Sequence, residues 1–444
     1  LVYRSLQVLG IYLLATSLPL SRWMALLVAA ISSLGATISG PAVLTMEYEP
    51  VPRGYAVGLT LLAVGLAARN RWMLASVSAS LALLYHAPTT YPFWIVLAFV
   101  VMRTWNFKLL IPVTGAIAIL LIASRFQTGA TESQSFFFHI DPAFAALQRM
   151  RASYNWVSLW WRPLMWQHLA YWAAGLLAFW RIRPRVAQEF LLGMPLIGIL
   201  SVPASYLLLE RLEWGLIPQL QPARALLFVT EFAIILGAAA GVRAAMRGGY
   251  IETFAWFVLI FAIPMNGQLR DLTRTQMLLA AGLSAALVLG LSRDSVSRLK
   301  PAICAAVVLA AYLLPPTLGR VHNYAHLETP AVDDLAHFAR ERTPKDAMFL
   351  FADAGTALYP GIFSVRAQRP VWVDWKSGGQ VNYYRSLADE WWSRWQATHG
   401  LKFLPADWDS LAALGINYVV LGHAFPGRSE VYSNGVYYVY ALRR

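Results

Sequence analysis

Residues 223–242 read ARALLFVTEFAIILGAAAGV, and the basic residues Arg243 and Arg247 follow them. The run has about the 20 residues that a helix needs to cross the hydrocarbon core of a bilayer. A backbone in hydrocarbon has no water to bond, so a run that crosses it has to be helical. The run therefore predicts a membrane-spanning helix with basic residues at its carboxyl end.

Similar apolar runs recur along the first 318 residues, although several are shorter than a full span. They are 2–20, 23–39, 54–68, 72–86, 93–102, 109–124, 166–180, 188–209, 251–265, 277–291 and 301–318. Together with 223–242 they predict an all-α polytopic membrane bundle of about twelve helices over residues 1–318.

The composition agrees with a membrane protein. The chain has 444 residues, of which 58% are hydrophobic and 13% are charged, whereas an average globular protein has about 25% charged residues. Its 18 Trp, 20 Tyr and 21 Phe are rings of the kind that gather at membrane interfaces. These values exclude intrinsic disorder and collagen-like repeats, and the single cysteine, Cys304, excludes an intramolecular disulfide.

The net charge of +13 suggests nucleic-acid binding, but its distribution argues against that partner. Residues 1–318 hold 23 basic and 11 acidic residues, whereas residues 319–444 hold 13 and 12. The basic residues fall in short clusters at every second connection between the runs. These clusters are Arg22; Arg69 and Arg71; Arg103 and Lys108; Arg181, Arg183 and Arg185; Arg243 and Arg247; and Arg293, Arg298 and Lys300. The positive-inside rule places them in the cytoplasm.

The remaining connections, 40–53, 87–92, 125–165, 210–222 and 266–276, are then predicted to face outward, as is the chain from residue 319. In the loop 125–165, Asp141 and Pro142 form a good helix start. Apolar residues then recur at spacings of three and four, which predicts an amphipathic helix. They are Phe144, Leu147, Met150, Tyr154, Val157 and Trp161. This helix is predicted to lie on the outer membrane surface or, equally, on top of the bundle.

Residues 319–444 have an ordinary composition and enough length for one small domain. Helices are predicted over 332–342, 383–398 and 405–415, and strands over 348–352, 371–374 and 417–421. Asn434-Gly435 is a strong hairpin signal within 431–440. The segment is therefore predicted to be a small α/β extracytoplasmic domain with an antiparallel edge.

The outward loop 40–53 holds the candidate catalytic residues. Glu47 and Glu49 are two positions apart, so they share a face if the loop is extended. Paired carboxylates can act as a general base, and they could also hold a divalent metal. Arg53 follows them closely. The alternative is a solvated loop in which a glutamate pairs with Arg53 and has no catalytic role.

Three further residues are candidate substrate contacts. His86 ends an apolar run on the predicted outer side, where it could touch a phosphate or merely cap a helix. Arg224 begins the run 223–242, and it could hold a lipid phosphate with two hydrogen bonds or serve as an interfacial anchor. Asp141, at the start of the loop helix, is also assigned to substrate binding.

Three segments resemble parts of a known family: Glu49-Pro-Val-Pro-Arg53, Ala68-Arg-Asn-Arg71 and His86-Ala-Pro-Thr-Thr-Tyr-Pro92. With the helices between them, they resemble the third to fifth helices of GT-C membrane glycosyltransferases, chiefly the protein-mannosyltransferase and aminoarabinose-transferase group. Leu414–Leu421 with the final hairpin is similar to the outer domain of many bacterial proteins of this kind. Arg366–Lys376 with Trp391-Trp392 and Arg394 resembles an uncharacterised bacterial multi-spanning family.

The GT-C resemblance implies transfer of a sugar from a polyprenyl-phosphate donor to a glycan, lipid or protein acceptor on the outer face of a bacterial inner membrane. It implies Glu49 and Glu47 as catalytic residues, and Arg53, His86 and Arg224 as donor contacts. Relatives carry their main acidic motif in an earlier outer loop, so a first helix and its loop are expected to precede Leu1.

Two other classes of function remain open. A lipid or glycan transporter or flippase requires charged residues in the middle of helices, whereas the ionisable residues here are expected at the ends of the runs. A non-catalytic membrane scaffold, with an outer domain that binds a partner, is compatible with every feature above.

Overall fold

The structure is a computed structural model. It describes residues 2–47, 50–126, 137–160, 162–263, 274–293, 298–317, 329–398, 401 and 405–442. The chain divides into two compact units. The first comprises Leu1–Ala130, Phe136–His139 and Tyr154–His322, and the second comprises Thr131–Ser135, Ile140–Ser153 and Asn323–Arg444.

The described secondary structure is mainly helical, with two small sheets. The α-helices are α1 Val2–Thr16, α2 Arg22–Ser32, α3 Pro52–Ala68, α4 Trp72–Thr104, α5 Ile111–Arg125, α6 Pro142–Arg151, α7 Pro163–Ile182, α8 Gln188–Ser205, α9 Ile217–Leu220, α10 Leu226–Met246, α11 Tyr250–Ala262, α12 Arg274–Leu291, α13 Lys300–Thr317, α14 Pro330–Arg342, α15 Tyr359–Ala367, α16 Arg385–Thr398 and α17 Pro405–Ala413. The strands are β1 Thr37–Ile38, β2 Val43–Leu44, β3 Phe349–Phe351, β4 Tyr418–Leu421, β5 Tyr432–Ser433 and β6 Tyr438–Ala441.

Each predicted apolar run contains a helix, although the run 23–39 also includes β1, and the predicted count of about twelve spans is not confirmed. Five described helical segments are long and apolar enough to cross a membrane. They are Trp72–Thr104, Phe107–Arg125, Gln188–Arg211, Ile217–Met246 and Arg274–Leu291. Shorter apolar helices such as α2, with 11 residues, and α11, with 13, fall below the roughly 20 residues of an unaided span.

Helix α4 is a folded-back pair rather than a straight rod. Its backbone is non-helical at His86 (φ −162°, ψ 89°). The Ser76 hydroxyl donates a hydrogen bond to the Leu109 carbonyl, although a straight helix would carry the chain about 40 Å from Ser76 to Thr104. The chain therefore reverses at His86, which agrees with the two separate runs 72–86 and 93–102 predicted from the sequence.

Helices α1 and α3 run parallel and pack backbone against backbone. A Cβ atom on Gly10 would lie 2.6 Å from the Leu61 carbonyl oxygen, and one on Gly58 would lie 2.6 Å from the Tyr3 carbonyl oxygen. Small residues at such positions let helices in a membrane approach closely. The contact places the amino ends of α1 and α3 together.

Helix α10 is the centre of the first unit, because every residue from Leu226 to Val242 is buried. In α5, by contrast, Ala116 is the one buried residue. The amino ends of α1, α3 and α10 define the Glu47 end of the unit, and their carboxyl ends define the Arg243 end. Ser17, just after α1, and Arg243, late in α10, line one cavity, which confirms that both helices finish at the Arg243 end.

The second unit contains a four-stranded sheet in the order β3-β4-β6-β5. Strands β3 and β4 are parallel, whereas β6 is antiparallel to both β4 and β5. The predicted antiparallel edge is thus present. The predicted turn at Asn434-Gly435 is confirmed, because the Asn434 side chain accepts hydrogen bonds from the Val436 and Tyr437 amides. The predicted strand over 371–374 is wrong in extent, since only Val371 forms a bridge, to Phe349.

The helix predicted after Asp141 is α6, but its length differs from the prediction. It ends at Arg151, and short 3₁₀ turns replace the predicted continuation. It belongs to the second unit, where the Gln148 side chain donates to the Val381 carbonyl at 2.9 Å. Its buried face includes Phe144 and Leu147, and its placement on the outer membrane surface or on top of the bundle stays a prediction.

Candidate functional site

Glu47 and Arg53 form a buried ion pair at the amino end of α3. Pro52 occupies the first turn of that helix, where a missing N–H is tolerated. The Arg53 Nε lies 2.5 Å from the Glu47 Oε1, and the Glu47 side chain is 4% exposed. Arg4 Nε donates to the Glu47 backbone carbonyl at 3.1 Å, so the amino end of α1 also holds this loop.

A short two-stranded sheet, β1 and β2, positions the loop that carries Glu47. Strands β1 and β2 pair antiparallel, and the Ala36 amide donates to the Thr45 hydroxyl at 2.7 Å. Gly40 has a φ of +90° and packs against the Trp160 ring, where a Cβ would lie 2.8 Å from a ring carbon. Glycine is therefore required there for both its conformation and its size.

Glu231 is a fully buried acidic residue that the sequence analysis missed. It lies in α10 with 0% exposure. The Gln7 side-chain amide donates to the Glu231 Oε1 at 3.5 Å and to the Thr45 carbonyl at 2.9 Å. The Glu231 Oε2 has no hydrogen-bond partner among the residues that the structure describes. The signal for it was present in the sequence, since Glu231 is the one acidic residue within the run 223–242.

The expectation that ionisable residues avoid the middle of helices is therefore wrong at Glu231. An acidic residue inside an apolar helix is costly to bury and is by default a functional-site hypothesis. The contacts through Gln7 and Thr45 link this carboxyl group to the loop of Glu47.

His86 lies at the reversal in α4. Its Nδ1 is 2.9 Å from the Thr89 hydroxyl. The neighbouring Tyr85 ring stacks on the Tyr55 ring of α3, with centroids 4.9 Å apart, which places the reversal beside the helix of Arg53. The positive charges of Arg224 and Arg53 both act electrostatically on the His86 ring.

Arg224 lies in a 3₁₀ turn, Pro222–Ala225, immediately before α10. The Tyr91 hydroxyl donates to the Pro222 carbonyl at 2.7 Å, so the returning half of α4 holds this turn. The Arg224 guanidinium lies over the Tyr154 ring, 5.5 Å from its centroid. The turn and the ring thus fix Arg224 near His86.

Four of the six predicted site residues come together: Glu47, Arg53, His86 and Arg224, named here the Glu47 cluster. Glu49 lies outside the described residues. No group of three or more His, Cys, Asp or Glu side chains in the described part of the chain is placed to hold a metal ion. The described cluster therefore presents three cationic or ionisable nitrogen groups and one carboxylate.

Asp141 belongs to the second unit. Its Oδ1 accepts hydrogen bonds from the Phe144 and Ala143 amides, each at 3.0 Å, which caps α6, and the carboxylate pairs with Arg385. The hydrogen bond from the Phe144 amide, together with the contact to Arg385, lowers the pKa of the Asp141 carboxyl group. These contacts hold α6 in place, and a role of Asp141 in substrate binding stays a prediction.

One comparison bears on the second unit. Residues 330–398 match a family described as "Domain of unknown function (DUF6798)". The matched stretch runs from α14 to the end of α16 and includes Arg366–Lys376 and Trp391. No curated protein matches the chain.

Proposed function

We propose that the chain is a membrane glycosyltransferase that uses a polyprenyl-phosphate sugar donor on the outer face of a bacterial inner membrane. The observation that carries this proposal is the convergence of Arg53, His86 and Arg224 at the Glu47 end of the helical unit. A phosphate that leaves water loses hydration, and fixed cations replace it. Arginine does so with two parallel hydrogen bonds.

The position of the cluster supports a lipid-linked donor over a soluble one. Arg224 precedes α10, Arg53 lies in the first turn of α3, and His86 lies at the reversal of α4. All three therefore lie at a helix end or at a chain reversal. If the helices cross a membrane, these positions lie at the depth of the lipid head groups, where a lipid presents its phosphate. The polyprenyl chain would then lie along the apolar helices.

In the proposed reaction, Glu49 with Glu47 removes the proton from an acceptor hydroxyl. The acceptor oxygen forms a bond to the anomeric carbon of the sugar. The bond from that carbon to the phosphate oxygen breaks, and polyprenyl phosphate leaves with the electron pair. Arg53 and Arg224 stabilise the charge that develops on the departing phosphate. The acceptor is a glycan, a lipid or a protein on the same side of the membrane.

The test is the binding of undecaprenyl phosphate to the purified protein in detergent. Charge-assisted hydrogen bonds contribute about 1.5–3 kcal/mol each, so Arg224→Ala should weaken binding about tenfold or more. Arg224→Lys should also weaken it, because lysine lacks the second parallel hydrogen bond. The matched control is Arg211→Ala, since Arg211 lies at the same end of the unit over the Tyr206 ring, 5.3 Å from its centroid.

Equal binding by the wild type, both Arg224 variants and the control would overturn the phosphate-binding role of the Glu47 cluster. A second measurement addresses the chemistry. Membranes that contain Glu49→Gln should bind the phosphate but fail to transfer a labelled sugar from the undecaprenyl-phosphate donor. Glu47→Gln should also fail to transfer it, and its stability is measured in parallel because the variant loses the buried ion pair with Arg53. Unchanged transfer in both variants would exclude these carboxylates as the base.

A transporter or flippase is the second candidate, and Glu231 is the observation that favours it. Transport pathways use buried ionisable residues, and Glu231 is enclosed within α10. Glu231→Gln keeps the shape and the hydrogen-bonding capacity of the side chain. The transporter would be favoured if Glu231→Gln lost lipid translocation in proteoliposomes and the wild type showed no sugar transfer. Sugar transfer by the wild type would favour the glycosyltransferase.

A further inference from the structure

The Arg243 end of the first unit contains a cavity of about 860 Å³. Three segments form it: the chain after α1, the end of α7 with its connection to α8, and the carboxyl part of α10. Its arginines are Arg183, Arg185 and Arg243, and none of its described lining residues is acidic. The volume lies within the range of about 300–1,000 Å³ that is usual for ligand sites.

The lining carries more positive charge than its neighbours neutralise. Arg181 is already paired, because its Nε and Nη2 contact the two Glu252 carboxylate oxygens at 2.5 and 2.7 Å. Arg243 donates a hydrogen bond to the Ile182 carbonyl, which ties α10 to the end of α7. Arg183 and Arg185 are exposed, and the positive charges of Arg181 and Arg183 act on Arg243. Such a site favours an anion.

The cavity also has an apolar side. Phe179 and Trp180 belong to its lining, and the Trp180 side chain is 74% exposed. One turn earlier in α7, Leu177 is 62% exposed. An anion that carries hydrocarbon chains would therefore contact arginines with its head group and this face of α7 with its chains.

We propose that this cavity binds the phosphate head group of an anionic phospholipid. Basic pockets between transmembrane helices bind such head groups, and guanidinium groups match a phosphate diester in charge and geometry. The proposal is independent of the Glu47 cluster, since α10 separates the two ends by about 30 Å. It shares with the proposed function only the placement of the helices in a membrane.

The experiment uses the full chain in phosphatidylcholine nanodiscs that contain increasing fractions of phosphatidylglycerol. Bound phosphatidylglycerol is counted by native mass spectrometry after release from the disc. The test variant is Arg183→Gln with Arg185→Gln, which leaves the Arg243 contact intact. The matched control is Arg69→Gln with Arg71→Gln, because both arginines are exposed and follow α3 at the same end of the unit.

The wild type should retain phosphatidylglycerol in preference to phosphatidylcholine, and the test variant should lose this preference about tenfold or more. The control variant should retain it. Glycerol phosphate at the same phosphate concentration should not displace the lipid, because it lacks the chains that contact Phe179 and Trp180.

Three results would overturn the proposal: equal retention of both lipids by the wild type, equal losses in the test and control variants, or displacement by glycerol phosphate. The last result would assign the cavity to a soluble phosphate compound instead. Failure of undecaprenyl phosphate to bind at the Glu47 cluster would leave the phosphatidylglycerol result unaffected, so the two proposals can fail separately.

Discussion

The two ends of the helical unit each contain an arginine–glutamate pair, and the two pairs differ in burial. Arg53 and Glu47 at one end, and Arg181 and Glu252 at the other, both have an Nε–Oε1 distance of 2.5 Å. The Glu47 side chain is 4% exposed, whereas the Glu252 side chain is 34% exposed. The same contact therefore has different consequences at the two ends.

The physical reason is desolvation. A buried charge that loses its partner has no water to replace it, so breaking a buried pair costs about 3–5 kcal/mol. An exposed pair contributes about 0.2–1 kcal/mol, because water and salt already screen it. The Arg53–Glu47 pair is thus expected to be structurally sensitive to charge changes, whereas the Arg181–Glu252 pair is expected to tolerate them.

The largest expected effect is that of Arg53→Ala. It should lower the free energy of unfolding by about 3–5 kcal/mol, because the Glu47 carboxylate stays buried without its guanidinium partner. The measurement is SDS-induced unfolding in mixed micelles. Arg103→Ala is the control, since the Arg103 side chain is 69% exposed in its pair with Glu189. If the two variants lost similar free energies of unfolding, burial of the ion pair would not be the cause of the destabilisation.

Gly10→Val tests the packing that assembles the Glu47 end. The new side chain would meet the Leu61 backbone, and overpacking typically costs about 1–3 kcal/mol. We expect lower stability in the same micelle assay and weaker undecaprenyl phosphate binding, because α1 would move away from α3. Gly115→Val is the control, since a Cβ at Gly115 meets nothing within 4 Å. Unchanged stability and unchanged binding in Gly10→Val would show that the close approach of α1 to α3 is not needed.

A smaller effect is expected at the opposite end, from Glu252→Gln. The pair with Arg181 is partly exposed, so the free energy of unfolding should fall by no more than about 1 kcal/mol. The loss should shrink further as ionic strength rises, since salt screens exposed charges. Comparison of unfolding at low and high salt checks this expectation. A loss as large as that of Arg53→Ala would contradict the comparison of the two ends.

The smallest effect is expected from Arg185→Gln. Arg185 is exposed and lines the cavity, so its replacement should change stability in a neutral detergent by less than about 0.5 kcal/mol. Added phosphatidylglycerol should stabilise the wild type more than the variant, since ligand binding stabilises the folded state. A destabilised variant in neutral detergent would make Arg185 a structural residue.

Much of the fold could be predicted because the signals were local. The apolar run 223–242 became α10, and Asp141-Pro142 became the capped start of α6. The turn at Asn434-Gly435 closed the predicted hairpin. In each case the hydrogen bonds that define the element join residues close together in the chain.

The site was predicted less completely. Arg53, His86 and Arg224 were chosen for their positions at the ends of runs, and the structure brings them together. Glu231 was missed because it lies inside the run 223–242, which is strongly apolar on average although it contains this one acidic residue. Its hydrogen-bond partner, Gln7, is 224 positions away, so no local pattern indicated the pair.

The sequence by itself determined where the helices form and which segments are apolar, because backbone hydrogen bonding and hydrophobicity act over a few residues. Only the tertiary structure decided that α6 packs in the second unit, through a bond between Gln148 and Val381, which are 233 positions apart. It also decided that the Arg243 end encloses a cavity. Both results depend on how surfaces from distant parts of the chain fit together and on which charges they bury. A local sequence pattern does not show such contacts.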